Sequence, residues 1–84
     1  NLIDDKSKKI INDYCKKIEI SETINKETLE KYLKELMDKH QTNFKGIGQP
    51  LRIALTGSKF GPGIYNIILS LEKDEILKRL SKFN

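Results

Sequence analysis

The 84-residue sequence has no tryptophan, one cysteine, one histidine, two prolines and only two arginines. A single Cys15 excludes an intramolecular disulfide framework and any zinc site built on cysteines. A reducing, intracellular setting suits such a chain. No window approaches the roughly 18 consecutive apolar residues of a membrane span. The first five residues, Asn-Leu-Ile-Asp-Asp, carry neither a basic stretch nor an apolar run, so no secretory signal is visible. An initiator methionine is also missing, and the chain is expected to be a C-terminal fragment of something longer. No Walker or Rossmann phosphate loop is present; Gly57-Ser58-Lys59 only echoes the end of one. No Ser–His pair, zinc cluster or calcium loop stands out. The isolated chain is expected to catalyse nothing.

What is present is charge and periodicity. Charged residues make up 33% and hydrophobic residues 37%, which suits a soluble helical domain. Residues 1–41 hold nine lysines and nine carboxylates, which cancel. The whole net charge of +4 therefore sits in residues 42–84. A basic half can face a polyanion or simply keep the surface soluble.

A helix is predicted from about Lys6 to Ile18, because Ile10, Ile11, Tyr14, Cys15 and Ile18 repeat at helical spacing. Cys15 lies on that stripe and reads as a buried thiol. A second helix is predicted from an Asn25 N-cap to about Gln41, burying Leu29, Tyr32, Leu33, Leu36 and Met37. His40 closes its stripe and reads as a packed or capping histidine. The two helices are expected to form an antiparallel hairpin over residues 1–41, followed by a second half over 45–84 within one domain.

All five glycines and both prolines fall between Gly46 and Gly63. That stretch is expected to be turns and short pieces. Within it, Leu51, Ile53 and Leu55 alternate as a strand would, while Pro50 and Gly57 suit the first turn and the left-handed stop of a helix. Periodicity leaves both readings open: all-α, or α+β with a short strand at Leu51–Leu55. Pro62 suits the first position of a further helix burying Ile64, Tyr65, Ile67, Ile68 and Leu71. A last helix is predicted from about Lys73 to Lys82, with Asp74 and Glu75 in its first turn and Lys78, Arg79 and Lys82 in its last.

The run Gln49-Pro50-Leu51-Arg52-Ile53-Ala54-Leu55-Thr56-Gly57-Ser58, then Gly61-Pro62-Gly63-Ile64 and Leu71-Glu72-Lys73-Asp74-Glu75-Ile76-Leu77-Lys78-Arg79-Leu80, resembles a known family. It is similar to the C-terminal anticodon-binding subdomain of bacterial-type glutamyl-tRNA synthetase. The likeness covers roughly Lys45 to Leu80. It implies an all-helical bundle of about five helices, and so a helix at Pro50–Gly57. Glu72 stands where the family has glycine; a positive φ there would strain a glutamate.

The resemblance also implies a role. The parent enzyme ligates glutamate to its tRNA using ATP and magnesium, held in a catalytic domain that this sequence does not include. This end of the chain would grip the anticodon stem-loop. It would act in the cytoplasm, as a monomer, without membrane or DNA. Unpaired loop bases are read by stacking and by hydrogen bonds to their edges. Arg52 is the first candidate, because its fork makes two hydrogen bonds at once. Gln49, one turn earlier, can donate to and accept from a base edge. By family likeness Gly61, Pro62 and Ile64 line a base pocket, Ile64 through its apolar side chain. Lys59 and Phe60 are phosphate and stacking candidates, though Phe60 can equally be core; Lys45 is a further phosphate candidate. Thr56 and Gly57 read as a helix stop, and Arg79 as a fold contact. The competing readings are a helical protein-interaction module and a general RNA-binding domain.

Overall fold

The computed structural model describes residues 4–58 and 63–83, which form five α-helices. The first, α1, spans Asp5–Ile20. It starts where Asp4 Oδ1 accepts a hydrogen bond from the Ser7 N–H at 2.8 Å, satisfying one of the orphan donors of a helix start. Its buried residues are Ile10, Ile11, Tyr14, Cys15 and Ile18, the stripe that the spacing predicts. Helix α2 spans Lys26–His40, and Asn25 caps it by accepting from the Thr28 N–H at 2.9 Å. It buries Leu29, Leu33 and Leu36 and ends at Gln41, which is left-handed at φ 51.

Three side-chain contacts fix the direction of this pair. Lys17 Nζ meets Glu35 Oε1 at 2.8 Å. Four residues earlier on α1, Asp13 Oδ2 meets Lys39 Nζ at 3.0 Å and His40 Nε2 at 2.9 Å. Moving back along α1 moves forward along α2, so the hairpin is antiparallel as expected. His40 is packed, and its ring ties the last turn of α2 to the middle of α1.

Helix α3 corrects the expectation of turns and short pieces. It runs unbroken over Phe44–Thr56, with Gly46, Gly48 and Pro50 inside it. Its first turn is capped by Asn43, whose Oδ1 accepts from the Gly46 N–H at 2.8 Å. Pro50 is therefore the seventh helical residue rather than the first. A mid-helix proline forfeits a hydrogen bond and costs about 3 kcal/mol. Burial on several sides offsets that cost. Ile47, Pro50, Leu51, Ile53, Ala54 and Leu55 are all buried, and α3 touches each of the other four helices. The strand reading of Leu51–Leu55 falls for the same reason: a helix enclosed on most of its circumference buries neighbouring residues regardless of period. Gly57 ends α3 at φ 78, and its N–H donates to the Ile53 carbonyl at 2.7 Å. This is the left-handed glycine stop that the sequence suggests.

Helix α4 spans Ile64–Leu69 and α5 spans Lys73–Ser81. The first position of α4 is Ile64, with Gly63 as its N-cap; the expected N1 residue, Pro62, lies outside the described residues. Glu72 is the N-cap of α5 in extended backbone, φ −78 and ψ 155. A glutamate adopts that conformation without steric cost, so the replacement of the family's glycine strains nothing here. Lys73 Nζ donates to the Ser21 carbonyl at 2.8 Å, pinning the start of α5 to the end of α1. Among the described residues no helix is long and apolar enough to cross a membrane.

Candidate nucleic-acid interface

The burial of α3 leaves a narrow opening. Lys45 and Thr56 are exposed, and Gln49 and Arg52 are half-buried. At 3.6 residues per turn these four lie within an arc of about 60° and span about 16 Å along the axis. The structure thus brings three of the predicted site residues, Lys45, Gln49 and Arg52, onto one stripe. Two are cations and one is a carboxamide, so the stripe offers phosphate contacts and base-edge contacts side by side.

Thr56 closes the stripe as a structural residue. Its hydroxyl donates to the Arg52 carbonyl at 2.8 Å and accepts from the Ser58 N–H at 3.2 Å. With Gly57 this forms the helix stop that the sequence suggests. Arg79 is likewise committed to the fold. Its Nη1 donates to the Leu55 carbonyl at 2.7 Å and its Nε to Glu75 at 2.9 Å. It stands between two clefts. One, of about 520 Å³, lies between the end of α3 and Lys78, Lys82 and Phe83. The other, of about 380 Å³, is lined by Thr56, Asn66, Ile67, Ser70 and Leu71.

Ile64 is buried, as the helical spacing predicts, which conflicts with the base-pocket role that the resemblance implies for its side chain. Its side chain is 1% exposed and belongs to the core, so it offers no apolar surface to a base. The cause is its place at the start of α4, whose Ile64, Ile67 and Ile68 form one buried face. Lys59, Phe60, Gly61 and Pro62 lie outside the described residues.

The structure adds Phe44, for which the sequence gives no motif, and leaves Tyr65, expected to be buried, only half-buried. Phe44, the first residue of α3, has an exposed ring that meets Tyr65 of α4 with centroids 6.0 Å apart at 54°. Burial raises the Tyr65 phenol pKa, and the negative charge of Glu30 adds to the rise. The usable signal was Asn43: as an N-cap it puts Phe44 at the first helical position, directly before Lys45.

Comparison with known proteins identifies the family. The family model described as "Anticodon binding domain" matches residues 1–84. The glutamate–tRNA ligase of Pelagibacter ubique is 60% identical over 79 residues, covering 94% of this chain and 17% of that protein. Glutamate–tRNA ligase 1 of Syntrophus aciditrophicus is 40% identical over 58 residues, 69% of this chain and 12% of that protein. Glutamate–tRNA ligase 2 of Bartonella quintana is 30% identical over 80 residues, 95% of this chain and 17% of that protein. The chain thus spans less than a fifth of the length of these relatives. With its whole length matched, the chain belongs to the anticodon-binding domain family, in the form found in glutamyl-tRNA synthetases.

Proposed function

We propose that this chain grips the anticodon loop of a tRNA, as part of an enzyme that ligates glutamate to that tRNA with ATP. The observation that carries the reading is the open stripe of α3. A helix buried on most of its circumference has exposed Lys45 and Thr56 and half-buried Gln49 and Arg52 along one line. Cations there hold the RNA backbone, and the Gln49 carboxamide and Arg52 fork read base edges. The stripe has no carboxylate for a magnesium ion, and this reading puts ATP and magnesium in the catalytic part of the parent. It also puts the protein in the cytoplasm, as a monomer, without a DNA partner.

The test is binding of the chain to the anticodon stem-loop of a glutamate tRNA across a salt series. Binding should weaken steeply with salt, since each neutralised phosphate releases counterions. Arg52→Ala should weaken it about tenfold while the thermal melt stays cooperative. Lys45→Ala should weaken it less and flatten the salt slope by about one unit. Unchanged affinity in Arg52→Ala would remove the assignment. Equal binding of an unrelated stem-loop would leave a general RNA binder. Salt-insensitive binding of a protein partner instead would favour an interaction module.

A further inference from the structure

We propose that Phe44 is a stacking seat for an unpaired base of the RNA that the α3 stripe holds. This rests on the reading above and deepens it. Large apolar side chains with substantial exposure are few among the described residues: Ile20, Phe44 and Leu69. Phe44 is 45% exposed. It differs from the other two in being aromatic, packed against a second ring and on the helix that carries the stripe.

Two neighbours fix the ring. Tyr65 meets it in a tilted contact. Beneath it runs the α3 backbone at Gly48, where an added Cβ would sit 3.8 Å from Phe44 Cε2. A ring held in this way loses little further freedom when a flat partner lands on it. Leu69 lies one turn beyond Tyr65 on α4, so the apolar strip continues past the aromatic pair.

The surrounding charge selects the partner. Lys45 directly follows Phe44, and Arg52 lies two turns along the same helix. Both attract phosphates. Glu30 lies near enough to the Tyr65 phenol to raise its pKa, and its negative charge repels phosphates. A nucleotide is therefore steered with its phosphate toward Lys45 and its base toward the ring. Every base has a π-face, so the seat adds affinity without choosing a letter. The letter is left to Gln49 and Arg52.

The experiment uses the 84-residue chain and two RNA probes: the glutamate anticodon stem-loop, and the same stem as a blunt duplex with no unpaired bases. Phe44→Leu keeps an apolar side chain and removes the π-face. It should bind the stem-loop about fivefold to a hundredfold more weakly than the parent chain, with an unchanged circular-dichroism melt. Phe44→Trp introduces the only indole in a chain that has none. Its emission should be quenched by the stem-loop and not by the duplex. If Phe44→Leu binds as the parent chain does, while Arg52→Ala is weakened, the seat is refuted and the stripe stands. If both bind as the parent chain does, the stripe falls and the seat with it. A loss that is equal for stem-loop and duplex would mark a backbone contact and overturn the stacking role. Should Phe44→Leu melt early, the indole decides: no quenching by the stem-loop refutes the seat.

Discussion

Arg79 of α5 and Leu55 of α3 are joined by a hydrogen bond of 2.7 Å, from the guanidinium Nη1 to the backbone carbonyl. The carbonyls of a helix's last turn lack partners within the helix, and Arg79 supplies one from across the bundle. Arg79→Ala should therefore lower stability by about 1–2 kcal/mol. Urea denaturation measures this. RNA affinity, read at a temperature where the variant is folded, should be unchanged. An Arg79→Ala variant of full stability but poor RNA binding would reverse the roles assigned to the two arginines.

Two glycines of the α3 region should respond to alanine for different reasons. Gly57 has open space around it and a φ of 78. Its replacement meets only the left-handed strain, about 1–2 kcal/mol. Gly46 has ordinary helical backbone, but an added Cβ would collide with the Thr42 side chain, whose own Cβ would be 3.2 Å away. Gly46→Ala should destabilise alone and become neutral or better once Thr42 is changed to glycine. A double-mutant cycle by thermal melts separates the two cases: coupling at Gly46–Thr42, none at Gly57–Thr42.

Tyr14 is fully buried in the core, and its hydroxyl has no hydrogen-bond partner among the described residues. Burial holds the phenol pKa far above its ordinary value, with small further pushes from Tyr65 and Tyr32. An unpaired buried hydroxyl costs about 1–3 kcal/mol of desolvation. Tyr14→Phe should leave stability unchanged or raise it. A clear loss in the melting temperature would mean that the hydroxyl is bonded in solution.

Acid should loosen the hairpin through Asp13. Burial alone would raise its carboxyl pKa, but hydrogen bonds from Lys39 and His40, with their charges, together hold it below the ordinary 3.8. A depressed folded-state value stabilises the native form above the unfolded value, and the contribution is lost as pH falls through the folded value. The loss therefore comes below about pH 3.8. Asp13→Asn should cost about 1 kcal/mol at neutral pH and flatten the acid limb of the stability curve. It should not abolish that limb. Glu35 and Glu75 are also held low, by hydrogen bonds from Lys17 and Arg79 respectively.

Much of this fold is written locally. The stripes of α1 and α2, the Asn25 cap, the Gly57 stop and the charge order of α5 each follow from spacing and end chemistry. Helix α3 is different. Gly46, Gly48 and Pro50 are poor helix formers by any intrinsic scale, and only enclosure by four neighbouring helices keeps them helical. That enclosure is a tertiary fact, invisible in a window of ten residues. The same holds at the site. Gln49 and Arg52 are readable because they sit in a motif, whereas for Ile64 the helical spacing, which buries it, and the family likeness, which puts it at a base, point in opposite directions, and the packing of α4 follows the spacing. Phe44 carries no motif, and its exposure is set by the packing of α4.

Glu72 shows how local such differences from relatives can be, but Pro50 bears on adaptation more broadly. The helix that carries the polar stripe is wedged among all its companions and has a ring in its middle turn. It cannot be rolled or slid to re-aim its side chains without dismantling the interior. On the function proposed above, reading a different loop is therefore a matter of exchanging side chains at 45, 49 and 52, with the backbone beneath them left as it is.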